Sequence, residues 1–83
     1  MKLVEYRKAK GYSQSELARR LAMPQKTYNE IEARGGSCDV IRADMIETGT
    51  FGDPVKVKGR KEWVTTRDLA DGAREHRAAR AAA

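Results

Sequence analysis

Eighty-three residues make one small domain whose core can only be modest, which argues against a deep catalytic cleft. Lys and Arg number 17 against 12 Asp and Glu, a net charge of +5, and with a pI near 9.7 that balance favours polyanionic partners, nucleic acid first among them. The charge is uneven: residues 1–36 hold eight basic and four acidic side chains, residues 37–53 one and four, and residues 54–83 eight and four.

Cys38 is the only cysteine, so no disulfide framework exists, and the thiol reads as a small, partly buried side chain in a reducing, cytoplasmic compartment. Met1 to Lys10 is charged throughout and lacks the apolar centre of a signal peptide. No apolar run approaches the roughly 20 residues that span a bilayer.

In chain order, Leu3, Val4 and Tyr6 give a first short helix over Lys2 to Lys10, stopped by Gly11. Ser13 and Glu16 form a capping pair that opens a second helix, with Leu17, Ala18 and Leu21 inward and Arg19 and Arg20 outward. Ala22 and Met23 make a short turn, and Pro24 suits the first position of a third helix running from about Gln25 to Ala33 and ended by Gly35-Gly36. Ser37 is placed to cap a fourth helix containing Val40, Ile41, Met45 and Ile46, with Asp39 near its N-terminus. Gly49, Gly52 and Pro54 then break the chain. Val55 to Val57 alternates with period two, and Glu62 to Thr65 is rich in β-formers, so a hairpin is expected. A loop of Gly59 to Lys61 sets Val57 against Trp63 and Lys58 against Glu62, which is preferred to a shorter loop opposing Val57 with Glu62. Thr65 and Asp68 cap a last helix through Leu69, Ala70 and Ala73, weakened by Gly72 and fraying at its Ala-rich end. "TTRDLA" echoes "SQSELA", but no second polar helix follows it, and the echo reads as two similar helix caps.

On the third helix Tyr28 and Ile31 lie on one side and Gln25, Lys26, Asn29 and Ala33 on the other. Gln and Asn can pair with adenine N6 and N7, and Lys can donate to guanine O6 and N7, so this polar set suits major-groove base edges. Two short helices joined by a tight turn match the helix-turn-helix arrangement. The stretch "YRKAKGYSQSELARRLAMPQKTYNEIEARGG" resembles the Cro and lambda-repressor type of helix-turn-helix family, whose usual run is R-x-x-x-G-x-S-Q-x-x-L-A, a short turn, and a polar helix ending in I-E-x-G. The resemblance covers residues 3–36. It implies a mainly α fold, a lambda-repressor-like bundle of about four helices, here followed by a short β-hairpin and a C-terminal helix.

The resemblance implies base reading by Gln25, Lys26 and Asn29, with Thr27 on a thymine methyl or a phosphate. It places Gln14 on the DNA backbone, where a helix N-terminus favours phosphate. Lys10, Arg19, Arg20 and Arg34 are further candidates for phosphate. It also implies a structural ion pair, Arg7 with Glu32, tying the first helix to the third. Two departures stand out: Ala22 replaces a frequent Gly, strained if the turn needs a positive φ, and Pro24 replaces a frequent Ser or Thr cap.

After residue 48 the resemblance fades, giving a helix-turn-helix domain at residues 1–48 and a hairpin-plus-helix element of the same domain at residues 49–83. In Cro the C-terminal hairpin makes the dimer, so Val55, Val57 and Trp63 are dimer candidates here, although for Trp63 the monomer's own small core is the favoured place. Arg74, Arg77 and Arg80 read either as a phosphate-tracking stripe or as a disordered basic tail. No catalytic residue, cofactor or metal is expected: His76 is alone, and no Cys/His cluster or Gly-rich phosphate loop occurs. The functional expectation is a small phage or bacterial transcriptional regulator, a repressor binding a palindromic DNA operator as a homodimer. The alternatives are a helix-turn-helix antitoxin whose C-terminal half covers a toxin protein, and an RNA-binding accessory protein.

Overall fold

A computed structural model describes residues 1–82. Five helices and one hairpin follow in the order α1 (Leu3–Lys10), α2 (Gln14–Arg20), α3 (Gln25–Ala33), α4 (Val40–Phe51), β1 (Val55–Val57), β2 (Arg60–Glu62) and α5 (Thr66–Ala82). The fold is the mainly helical helix-turn-helix bundle with hairpin and C-terminal helix that the sequence implies.

Backbone chemistry at the helix ends fixes the corners. After α1, α2 and α3 the chain turns through a left-handed residue: Gly11 at φ 73°, Ala22 at φ 57° and Gly35 at φ 73°. In each case the amide of that residue and the amide of the next return to the last helical turn, as when Ala22 N donates to Arg19 O at 3.1 Å and Met23 N to Ala18 O at 3.0 Å. That is the Schellman arrangement, in which the buried side chain just past the turn packs back on the helix; Met23 fills that place after α2. Ala22 therefore pays on the order of 1–2 kcal/mol for a conformation that glycine adopts freely.

Several cap assignments shift. Pro24 sits at the N-cap of α3 with an extended ψ of 142°, one residue before the first helical position. Asp39, not Ser37, caps α4: its carboxylate accepts from Arg42 N at 2.8 Å and holds the Arg42 guanidinium at 2.9 Å. Ser13 caps α2 by accepting from Glu16 N at 3.1 Å. Thr65 and Asp68 cap α5 reciprocally, at 3.0 and 3.1 Å.

One apolar core takes Leu3 and Tyr6 from α1, Leu17 and Ala18 from α2, Tyr28 and Ile31 from α3, Ala43 and Ile46 from α4, and Val64 and Leu69 from the C-terminal segment. The two halves of the chain thus share a single interior, and α4 continues past residue 48. Val40 and Ile41, by contrast, are 82% and 74% exposed.

The hairpin register differs from the expected one. Val57 opposes Arg60, Lys56 opposes Lys61 and Val55 opposes Glu62. The loop is the two residues Lys58 and Gly59, both at positive φ (52° and 80°), the doubly left-handed turn whose twist matches that of two paired strands. Trp63 to Thr65 leave the ladder because Val64 is claimed from elsewhere: Thr50 Oγ1 accepts from Val64 N at 3.0 Å and lies 3.2 Å from Val64 O. That threonine is buried. Trp63 is half-buried and meets the ring of Phe51 edge-on at 4.9 Å, while Val55 packs against the core.

Helix α5 runs to Ala82, and it crosses the α3–α4 link at bare backbone. A Cβ added to Gly72 would fall on the Gly35 carbonyl, and one added to Gly35 would fall on the Gly72 carbonyl with Gly72 C at 2.9 Å. Two glycines, read as a helix stop and a weak point, are what lets the helix come this near. Met1 N donates to Asp68 at 2.8 Å, and Lys2 pairs with Glu75, so the two residues leading into α1 also hold α5.

Candidate nucleic-acid interface

Helix α3 presents its N-terminal end outward. Tyr28 and Ile31 are buried beneath it, and Gln25 and Lys26 are exposed. Burial of the first pair fixes the rotation of the helix and hence the direction of the second. Lys26 has no carboxylate within ion-pairing distance among the described residues. Asn29 is half-buried, and its Oδ1 is enclosed with no hydrogen-bond partner, so a bidentate contact to adenine needs a change of rotamer. Thr27 is half-buried at the flank.

In the last turn of α3 lies one carboxylate that three helices share. Glu32 accepts from Arg7 Nη2 at 2.9 Å and Nε at 3.0 Å, a forked pairing of α1 with α3, and from Gln14 Nε2 of α2 at 3.3 Å. Arg7 also donates to Tyr12 O at 3.1 Å. Burial pushes the Glu32 carboxyl up, but the hydrogen bonds and charge of Arg7, with the bond from Gln14, outweigh it and hold the group below its usual value. Such a pair is costly to break one-sidedly, since the remaining charge stays desolvated. Gln14 is thereby tied to the brace, half-buried rather than free.

The other basic candidates divide into engaged and free. Arg19 and Arg20 both pair with Glu16, Arg20 at 2.8 Å, and the Arg20 guanidinium lies over the Tyr12 ring at 4.4 Å. Lys10 donates to Asp53 at 2.7 Å, where the Tyr12 hydroxyl also donates at 2.7 Å; those two bonds hold the Asp53 carboxyl below its usual range. Lys10 thus fastens the hairpin's entry to α1 and offers a phosphate little net charge. Arg34 is exposed, with no ion pair among the described residues.

One outward residue of α3 went unnoticed in the sequence. Glu30 is exposed, one helical turn after Lys26, and the same i, i+4 spacing that picked out the other polar positions would have found it. A carboxylate there repels phosphate but can accept from cytosine N4.

Residues 3–38 match the helix-turn-helix family. No curated protein and no solved structure matches the chain.

Proposed function

With a DNA-binding helix-turn-helix domain of the Cro and lambda-repressor type over residues 3–38 as premise, we propose that the chain is a sequence-specific transcriptional repressor. In this reading residues 1–48 read a palindromic operator through the major groove, and residues 49–83 are the accessory part that joins two copies. The observation that carries it is the outward pair Gln25 and Lys26 on a helix held from behind by the Arg7–Glu32–Gln14 brace. Gln25 and Lys26 meet base edges at the N-terminal end of α3, Asn29 joins after its amide swings out, and Glu30 accepts from a cytosine. Thr27, Gln14, Arg19, Arg20 and Arg34 lie along the backbone, with Lys10 the weakest contributor.

The homodimer contact is built on Trp63 and the neighbouring ring of Phe51, which is 60% exposed, together with Val57. Edge-to-edge strand pairing is disfavoured by the lysines at 56, 58 and 61, which blunt the hairpin edges. Val55, packed on the core, contributes less.

Selection from a pool of random duplexes tests this reading. It should enrich a two-fold symmetric sequence with half-sites about 34 Å apart, and Gln25→Ala should relax preference at one base position per half-site by about 1–3 kcal/mol. Enrichment of no sequence, or equal weakening on every duplex, refutes it.

A further inference from the structure

Five arginines of this chain, Arg7, Arg19, Arg20, Arg42 and Arg74, each hold a carboxylate. Arg34, Arg60, Arg67, Arg77 and Arg80 hold none among the described residues, and of these Arg34, Arg77 and Arg80 line one depression. Arg34 stands at the C-cap of α3, and Arg77 and Arg80 are one turn apart on α5. Together with Ser37, Ala73 and His76 they wall a surface pocket of about 140 Å³. Water occupies about 30 Å³ per molecule in the liquid, so a tetrahedral oxyanion and its remaining water fit.

No carboxylate lines this pocket to offset the three charges. Like charges at i, i+3 on a helix repel, and the third guanidinium adds to the repulsion from another element. The C-terminal dipole of α5 offsets only the charge nearest its end. Arginines that line one pocket whose walls hold no carboxylate are suited to the oxygens of a phosphate, which each planar guanidinium can engage with two parallel N–H groups.

Position strengthens the assignment. Arg34 and Ser37 also wall the adjoining depression that holds Thr27 and Glu30 of α3, so the cluster continues the outward surface of that helix. Nine residues separate Gln25 from Arg34, about 13 Å along the axis, against a major groove about 12 Å wide. When the N-terminal end of α3 lies on base edges, its C-terminal end reaches the backbone bordering the groove.

We infer that Arg34, Arg77 and Arg80 form a phosphate site. Where the phosphate belongs to DNA, an inference that rests on the DNA-reading role proposed above, α5 clamps the backbone beside the reading helix. A free phosphate would use the same chemistry.

The Arg77→Gln/Arg80→Gln double variant separates these sources. Both side chains are exposed on α5, and unfolding in chloride buffer verifies that the variant folds like the parent. Binding to a random-sequence duplex is measured across a salt series, and unfolding temperature is measured with chloride exchanged for inorganic phosphate at constant ionic strength. For a backbone site the log–log salt slope falls by roughly 1–2, at about 0.9 per lost phosphate contact. For a free-phosphate site the slope stays the same, and the phosphate-dependent rise in unfolding temperature is smaller in the variant. An unchanged slope with equal phosphate stabilisation of both proteins overturns the site. Should the parent bind no duplex, the DNA-reading role fails, and the phosphate comparison still decides this inference.

Discussion

Replacing glycine by alanine inside a helix ordinarily stabilises it by about 1 kcal/mol, and at Gly72 the sign should reverse. The new Cβ would press on the Gly35 carbonyl group, with the carbon at 3.2 Å and the oxygen nearer still. Comfortable separation of carbon from neighbouring heavy atoms is about 3.5–4 Å, so α5 must retreat by on the order of 1 Å. The retreat has nowhere to go cheaply, because Leu69, one turn earlier, is buried against Gly36. Overpacking of this kind costs about 1–3 kcal/mol, and more where backbone meets backbone. With the upper part of that range, about 2–3 kcal/mol, set against the propensity gain, the net loss is about 1–2 kcal/mol, or a fall of roughly 4–16 °C in unfolding temperature for a domain of this size. Gly52→Ala is the internal control: Gly52 has a φ of −72°, and its Cβ would meet nothing closer than 3.7 Å. Thermal unfolding followed by circular dichroism should show Gly52→Ala at or slightly above the parent and Gly72→Ala clearly below it. If both variants gain, the close crossing of α5 over the α3–α4 link is not real.

Thr50→Val keeps the side-chain shape but removes the hydroxyl that serves Val64 N–H, and urea titration should show a loss of about 1–3 kcal/mol; a change within about 0.5 kcal/mol would count against the Thr50–Val64 link. Lys61→Glu replaces a like-charge pair opposite Lys56 with an attractive one, so at low salt the variant should be more stable by about 0.2–1 kcal/mol, the gain shrinking as salt is added. Asp53 and Glu32 have folded-state pKa values below their ordinary ones, and so does Asp68, whose burial is outweighed by the Met1 ammonium and Thr65. Their contribution is present above about pH 4 and lost as pH falls further, so stability should drop in acid. Tyr6 is pushed up to about 12 by burial and then by Asp53, and burial also raises Tyr28. The neutral phenols favour the fold up to about pH 10, and that contribution is lost as pH rises toward 12; unfolding midpoints across the pH range should trace both declines, and a flat profile at either end contradicts the assignment.

The first half of the chain was legible because its signals are local. Ser13 with Glu16, the paired Gly35-Gly36, and the Leu17, Ala18 and Leu21 face each announce an element from a few neighbouring residues. The α3 surface followed from Tyr28 and Ile31 alone. Legibility failed where a distant partner decides the outcome. Thr50 draws Val64 out of the strand that its β-branched neighbours promised, and Lys58 accepts a left-handed turn that shifts every cross-strand pair. Asp53, far from Lys10 in sequence, takes the charge that seemed available to phosphate. Gly72 reads as a defect in a helix until Gly35 is set beside it. The pocket among Arg34, Arg77 and Arg80 joins positions more than forty residues apart, which no periodicity within one helix reveals.

Glu32 gathers the first three helices onto a single carboxylate, and this bears on how quickly the domain finds a target. In the DNA-reading role proposed above, a helix already held by this brace has little reorientation to complete after contact, so each encounter is retained or released at once. Ordering entropy has been spent before any duplex arrives. In that role the speed of search is left to the long-range pull of the basic surface, while the choice among sequences rests with a few outward side chains.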